Sequence, residues 1–461
     1  MEQQHTNFLG EEKLSKLLFK FSIPCIIAMI IGNLYSIVDQ IFIGNSELGY
    51  LGNAATGISF PIICFCNAVA WCFSDGLVTY VSIKSGKNET DKIHKALGSS
   101  IVIMIVVGII ISIVCLVFAE PLMWLFGASN QTINLSVNYF KIIALFFPIY
   151  LLISVLNSAI RADGSPTYAM IASSSGALIN IILDPIFIFG FKLGIEGAAY
   201  ATVIGQVISL LLSIIYLFKT KFIKLQKDSF KVDYITTKEI VIYGGASFVA
   251  QIAVVIMSLT SNILLSKYGM LSKYGPDIPI SVFNIVTKVY TIVLAVVTGV
   301  VLGAQTIFGY NYGARKFNRL KKLYKMVFSI TIIISLISTI IFFLFPNQIL
   351  LLFGSEGNEL IFSFGKVCFR IYLILFVVTC LSKLTVIFFQ SVGKTKLAVG
   401  TSLIRDIVIY VLSAILLSII FENIRPGTGI YGLLIAAPLA DIITLVMIIA
   451  LTKSFFKNIT E

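Results

Sequence analysis

Apolar stretches about 20 residues long, the length a helix needs to cross the hydrocarbon core of a bilayer, recur roughly twelve times along this sequence. They lie near residues 18–43, 54–82, 97–119, 139–160, 168–190, 197–218, 239–265, 278–309, 323–345, 364–390, 404–421 and 430–452. Only short polar segments separate them, so no soluble domain fits between two spans. The first stretch is too long for the core of a signal peptide, and no small-residue cleavage site follows it. It is expected to stay as the first span. The pattern predicts an all-α membrane protein of about twelve transmembrane helices.

Composition agrees and narrows the class. Of 461 residues, 58% are hydrophobic and 12% charged, against roughly 45–50% and about 25% in soluble domains. A soluble core could not absorb that surplus, and a disordered chain needs the opposite balance. The 34 Lys and Arg exceed the 22 Asp and Glu, for a net charge of +12. Such an excess in a soluble protein would suggest nucleic acid. Here it sorts by side of the membrane. One set of loops carries Lys84, Lys87, Lys92 and Lys95, then Arg161, then Lys219, Lys221, Lys224, Lys227, Lys231 and Lys238, and later Arg315, Lys316, Arg319, Lys321, Lys322 and Lys325. The opposite set carries only Lys192, Lys267, Lys273 and Arg425. The bias places both termini in the cytoplasm of a multi-pass cytoplasmic (plasma) membrane protein, with an even number of spans and no nucleic-acid partner. All seven cysteines lie in apolar stretches and both histidines in polar ones, so neither a disulfide framework nor a metal–thiolate site is implied.

The chain also repeats itself. Gly76, Thr79 and Gly86 around the second span have the spacing of Gly303, Thr306 and Gly313 around the eighth. Gly164 with Ala169 matches Gly393 with Ala398, and Gly194-Ile195-Glu196-Gly197 with Ala201 matches Gly429-Ile430-Tyr431-Gly432 with Ala436. Three matches in the same order indicate a six-plus-six duplication, with lobes at 1–225 and 226–461. Six spans return the chain to its starting side, so the two repeats are parallel, an arrangement common among transporters, with the substrate path between the halves.

An ionisable group inside a span is costly and marks function by default. Asp39 on the first span and Asp184 on the fifth stand at nearly one depth, Asp39 about five residues or roughly 7–8 Å from the outer end. Thr202 on the sixth span reaches the same level. Tyr35 and Asn180 each precede an acid by one helical turn. Pro185 cannot donate to the carbonyl of Ile181 and leaves a further oxygen free. This set of hard oxygens suits Na+, or a proton shared between the acids. Asp75 is either a cavity residue or a partner for a neighbouring helix. In the second half, Gln251, Lys288, Lys383 and Asp441 are the polar residues expected to be buried within spans. Lys288 stands deepest, Lys383 can snorkel towards the cytoplasm, and Asp441 with Pro438 carries no assigned role. No G-x-x-x-x-G-K-[ST] sequence occurs, so this chain encodes no ATP-driven pump.

The runs Phe21-Ser22-Ile23-Pro24, Tyr35-Ser36-Ile37-Val38-Asp39 with Ile41-Phe42-Ile43-Gly44, Arg161-Ala162-Asp163-Gly164-Ser165-Pro166, Asn180-Ile181-Ile182-Leu183-Asp184-Pro185, Gly197-Ala198-Ala199-Tyr200-Ala201-Thr202 and Asn311-Tyr312-Gly313-Ala314 resemble the MATE (multidrug and toxin extrusion) transporters over essentially the whole chain. The resemblance implies twelve helices in two lobes and alternating-access antiport of drugs against Na+ or H+, with no other cofactor. It carries cation coupling onto Asp39, Asp184, Asn180 and Thr202, the Na+ ligands if the ion is Na+. It also matches Tyr35, Tyr139 and Asn157 to the same region. Gln251 stands where members with a second-lobe cation site carry an acid, and Asp75, Lys288 and Lys383 depart from the family pattern. The expected protein is a monomeric, non-enzymatic exporter of amphipathic, cationic small organic compounds. The alternative, a lipid-linked oligosaccharide flippase, would want a basic cavity for pyrophosphate, for which only Lys288 and Lys383 are on offer. An integral membrane enzyme would need a buried base such as His, and His5 and His94 lie outside the spans.

Overall fold

A computed structural model describes residues 8–220, 227–275, 277–352 and 359–459. The expected lobe boundary between residues 225 and 226, together with Lys221 and Lys224, lies outside them. Among the described residues every regular element is helical. The first half comprises α1 (Leu14–Gly44), α2 (Tyr50–Gly86), α3 (Thr90–Val117), the short α4 (Ala119–Leu125), α5 (Ile133–Leu145), α6 (Phe147–Ala162), α7 (Pro166–Pro185) and α8 (Gly194–Leu217). The second comprises α9 (Tyr234–Leu271), α10 (Asp277–Gly313), α11 (Phe317–Leu344), the short α12 (Pro346–Leu352), α13 (Glu359–Tyr372), α14 (Phe376–Ser391), α15 (Thr395–Ser402), α16 (Tyr410–Ile424) and α17 (Gly429–Asn458).

Among the described residues ten helices are individually long and apolar enough to cross a membrane, with α15 and α16 counted as one through the π-helical segment Leu403–Ile409. Two bent pairs, α5 with α6 at 49° and α13 with α14 at 48°, bring the count to twelve, as the apolar runs predict. Pro148 explains the first bend: it has no N–H to give the preceding turn, and the chain breaks at Phe146.

The duplication is written in the backbone. Short α4 and short α12 follow the third and ninth spans, the fourth and tenth are the bent ones, and the fifth and eleventh each contain a π-helical segment. Left-handed residues recur at matching turns, Asn88 with Arg315 and Gly164 (φ +79°) with Gly393 (φ +72°).

Packing divides the chain into two units. One is Met1–Phe248 with Leu302–Lys316 and Ser391–Gly393; the other is Val249–Val301, Phe317–Gln390 and Lys394–Glu461. The first unit thus takes the start of α9 and the end of α10, and glycines show why. A Cβ on Gly86 would sit 2.2 Å from the Tyr310 carbonyl oxygen, and one on Gly313 2.2 Å from that of Ile83. Gly76 meets the Ile240 carbonyl in the same way, at 2.1 Å. Backbone touches backbone at these crossings, the usual mode of close approach where lipid removes the hydrophobic drive between helices. Tyr80, Leu97, Met104 and Leu151 pack beside them in this unit's core.

The outer faces are apolar in stripes. On α3, Val106, Ile109, Ile110, Ile113 and Val117 are all exposed, at the i, i+3, i+4, i+7 spacing of one helix face. Such a face is stable only against lipid.

Candidate functional site

In the first unit, α7 and α8 cross at Gly176 and Gly205. A Cβ on Gly205 would lie 2.4 Å from the Gly176 carbonyl oxygen, and one on Gly176 2.6 Å from that of Gly205. Asn180 follows Gly176 by one turn and Thr202 precedes Gly205 by about one, so this crossing brings the two side chains together. The Asn180 amide Nδ2 donates to Thr202 Oγ1 and to Asp184 Oδ1, each at 3.2 Å. Asp39 reaches in from α1, and its carboxyl contacts that of Asp184. Asp184 is fully buried and Asn180 nearly so.

Three oxygens here, Asp39 Oδ1, Asn180 Oδ1 and Asp184 Oδ2, are buried with no hydrogen-bond donor. A buried acceptor without a donor is expensive, and two adjacent carboxylates in low dielectric are more so. A proton between the acids would supply the missing donor. A Na+ ion coordinated by these oxygens and Thr202 Oγ1 would do the same work electrostatically, since hard oxygens are its preferred ligands. The donor set therefore fits the coupling ion expected from the sequence in either form. Beyond Asp184 the chain loosens: α7 ends at Pro185 and continues as a π-helical turn over Ile186–Gly190, the local answer to the missing N–H. Tyr35, Asn180, Thr202 and Gln206 line a cavity of about 140 Å³ beside the acids. Tyr139 is buried within electrostatic reach of both acids. Asn157 on α6 is half-buried, and its Oδ1 has no donor.

The remaining candidates separate. Asp75 takes the pairing option: Ser247 Oγ donates to its Oδ2 at 2.6 Å, and the Arg161 guanidinium, which also donates to Ser158 Oγ at 3.0 Å, stands 3.9 Å from its Oδ1. Lys288 is exposed on α10 and does not line the second unit's cavity, although Thr287, Tyr290 and Thr291 around it do. The apolar run gave its depth, but helix rotation turns it out. Gln251 is half-buried and also absent from that lining. Lys383, which the sequence allows to snorkel, lines the cavity.

That cavity, about 240 Å³, contains a charge cluster that sequence reasoning missed. The Arg405 guanidinium donates from Nε (2.9 Å) and Nη2 (2.7 Å) to Asp441 Oδ1. It also donates from Nη2 to Thr379 Oγ1 at 2.8 Å and from Nη1 to Asp406 Oδ1 at 2.5 Å. Thr379 in turn donates to Asp441 Oδ2 at 2.8 Å, and Asp441 is 2% exposed. A signal existed. An arginine inside a span is as costly as an acid, but the expected start of the eleventh span at residue 404 put Arg405 at its edge. The helix actually starts at Thr395 and carries Arg405 within its π-helical segment.

Among the described residues no three His, Cys, Asp or Glu side chains form a metal cluster. Comparison with known proteins points one way. The model of the family MatE matches residues 24–186 and 246–416. A multidrug export protein, MepA, of Staphylococcus haemolyticus is 30% identical over 345 residues, covering 74% of each chain. A protein of the same name from Staphylococcus aureus is 30% identical over 334 residues, 71% of each. Among solved structures, the outward-facing conformation of a multidrug resistance MATE family transporter of the MOP superfamily shares the fold, with a TM-score of 0.89 over 99% of both chains at 22% identity.

Proposed function

Since the chain belongs to the MatE family of membrane transporters, we propose that it is an antiporter that exports amphipathic, cationic organic compounds across the plasma membrane in exchange for Na+ or H+. The coupling ion binds at Asp39, Asp184, Asn180 and Thr202, and both termini face the cytoplasm. The observation that carries this reading is the trio of buried, donor-less oxygens on Asp39, Asn180 and Asp184. Such a site is incomplete until an ion or proton arrives, and an ion can shift a two-state protein only if one state binds it better. Filling the site draws α1, α7 and α8 together around it; emptying it restores the repulsion between the acids. Alternation between those arrangements would couple ion entry to release of the drug. The multidrug export role of the staphylococcal relatives supports the substrate class. The flippase alternative loses ground, because Lys288 is exposed and Lys383 shares its cavity with Asp406.

Efflux of a fluorescent cationic dye from preloaded right-side-out vesicles tests the site. Asp39→Asn and Asp184→Asn should each abolish ion-driven efflux while dye binding to the purified protein persists. Wild-type-like efflux in both variants would overturn the assignment. Asn180→Ala and Thr202→Ala then separate the ions. If the ion is Na+, both raise the Na+ concentration needed for half-maximal efflux by tenfold or more, whereas a proton site leaves efflux under a pH gradient without Na+ largely intact.

A further inference from the structure

Helix α8 carries a polar stripe of which the coupling site uses only the first member. Thr202, Gln206, Ser209, Ser213 and Tyr216 follow one another at intervals of 4, 3, 4 and 3 residues, and every other residue from Val203 to Ile215 is Val, Ile, Leu or Gly. At 3.6 residues per turn the five fall within an arc of about 80° and run about 20 Å along the helix. The cavity beside the acids follows this stripe: Gln206 and Ser209 of α8 and Ser173 of α7 line it together with Asn180 and Thr202. Ser209 is 4% exposed, and its Oγ is buried without a hydrogen-bond partner. Beyond the cavity, the buried Ser213 donates to the Ser209 carbonyl at 2.8 Å, and the Tyr216 hydroxyl donates to Asp163 Oδ2 at 2.7 Å. Asp163 follows the last residue of α6 and is 1% exposed. Small size alone does not explain the serines. Close packing earlier in the same helix is met by Ala198, Ala199 and Ala201, and a buried hydroxyl without a partner is costly where an alanine is not.

We propose that this stripe is the inward route of the coupling cation, leading from Asp39 and Asp184 past Gln206, Ser209 and Ser213 to Asp163 as its terminal carboxylate at the cytoplasmic end. The inference rests on the coupling reading above and adds where the ion goes. Hydroxyl and carboxamide oxygens suit a hard cation and, bridged by water, a moving proton; the cavity has room for several waters. Ser209 Oγ turns a free oxygen to the ion at the inner end of that space. The other faces of α8 are aliphatic and offer a cation nothing. A buried acid at the far end gives the cation a destination, and the bond from Tyr216 holds that carboxylate on the stripe.

Dye-loaded right-side-out vesicles give separate access to the two faces, the lumen being the cytoplasmic one. Efflux is driven by external Na+ at clamped pH and, separately, by an external acid step without Na+, and the driving ion is then titrated on each side. In the wild type, rising luminal ion slows efflux by refilling the site from within. Asp163→Asn, which keeps the shape and the bond from Tyr216, should raise the luminal concentration for half-inhibition about tenfold, the worth of one charge-assisted hydrogen bond. Ser209→Ala should raise it about threefold, as for a neutral one. Both should leave the external concentration for half-maximal efflux unchanged, whereas a general structural defect moves the two faces together. Ser175→Ala, which removes a serine of α7 outside the cavity, should change neither. Unchanged luminal inhibition in both variants, or equal shifts on the two faces, would overturn the route and leave the coupling site standing if Asp39→Asn is inactive. Wild-type-like efflux in Asp39→Asn and Asp184→Asn would overturn both.

Discussion

The buried pair of Arg405 and Asp441 yields a quantitative prediction. Replacing Arg405 by Met removes four charge-assisted contacts of 2.5–2.9 Å and leaves Asp441, 2% exposed, as an uncompensated charge. Breaking one side of such a pair costs about 3–5 kcal/mol. The Arg405 and Asp406 side chains keep 13% and 18% of their surface exposed, so water in the cavity can partly hydrate what remains, and about 3 kcal/mol is expected. Asp441→Leu alone strands the guanidinium with Asp406 as its remaining acid and should cost about 2–3 kcal/mol, within the range for breaking a buried pair. Removing both at once leaves no buried uncompensated charge, since Asp406 borders the cavity. Arg405→Met with Asp441→Leu should therefore return to within about 1 kcal/mol of the parent, as buried pairs replaced by apolar residues commonly do. The cycle is measured by equilibrium unfolding in mixed micelles, where single losses of about 5–6 kcal/mol together, against about 1 kcal/mol for the double variant, give a coupling of about 4–5 kcal/mol. Strictly additive losses, or single variants within about 0.5 kcal/mol of the parent, would refute the reasoning. Transport by the stable double variant then asks a separate question. Unimpaired efflux would make the cluster purely architectural, and lost efflux would place it in the export path.

Gly205→Ala should push α7 from α8, break the bond from Asn180 to Thr202, and lower both stability, by about 1–3 kcal/mol, and ion-driven efflux. By contrast Gly400→Ala, where an added Cβ meets nothing within 4 Å, should be neutral or gain up to about 1 kcal/mol from helix propensity; thermal unfolding of the two variants compares them. Asp233 caps the start of α9, its Oδ2 accepting from the Thr236 N–H at 3.1 Å and from the Thr236 hydroxyl, so Asp233→Ala should cost about 1 kcal/mol. Those bonds, the hydroxyl's first, hold its carboxyl below the usual carboxylate range. The cap's contribution is therefore complete above about pH 4 and is lost as pH falls further through the lowered value. Stability of the parent and of Asp233→Ala, followed from pH 7 down to 3, should converge only at the acid end; a constant gap would exclude the charged cap. Lys383→Met, which removes a cation from the second unit's cavity, should change the relative efflux of cationic and zwitterionic dyes more than it changes stability, read by dye-competition transport alongside unfolding.

Span number, span length and the buried acids of the first unit were legible in the sequence because they are local properties. A run of about 20 apolar residues meets the bilayer's thickness wherever it occurs, and a carboxylate within such a run stands out as costly by default from the sequence alone. Common depth was enough to group Asp39 with Asp184 and Thr202. Glycines at 76, 86, 303 and 313 announced a duplication, although only the backbone crossings revealed what they are for. Rotation of each helix about its axis and the partner it meets are a different matter. Lys288 and Tyr290 are two residues apart on α10, yet one is exposed and the other lines a cavity. Arg405 finds Asp441 across α17, a contact that no spacing along the chain encodes. Lipid presents the same apolar medium to every face, so hydrophobic pattern alone cannot say which face turns inward. Close packing at small residues and the need to pair each buried charge decide it, and both exist only once the helices have met.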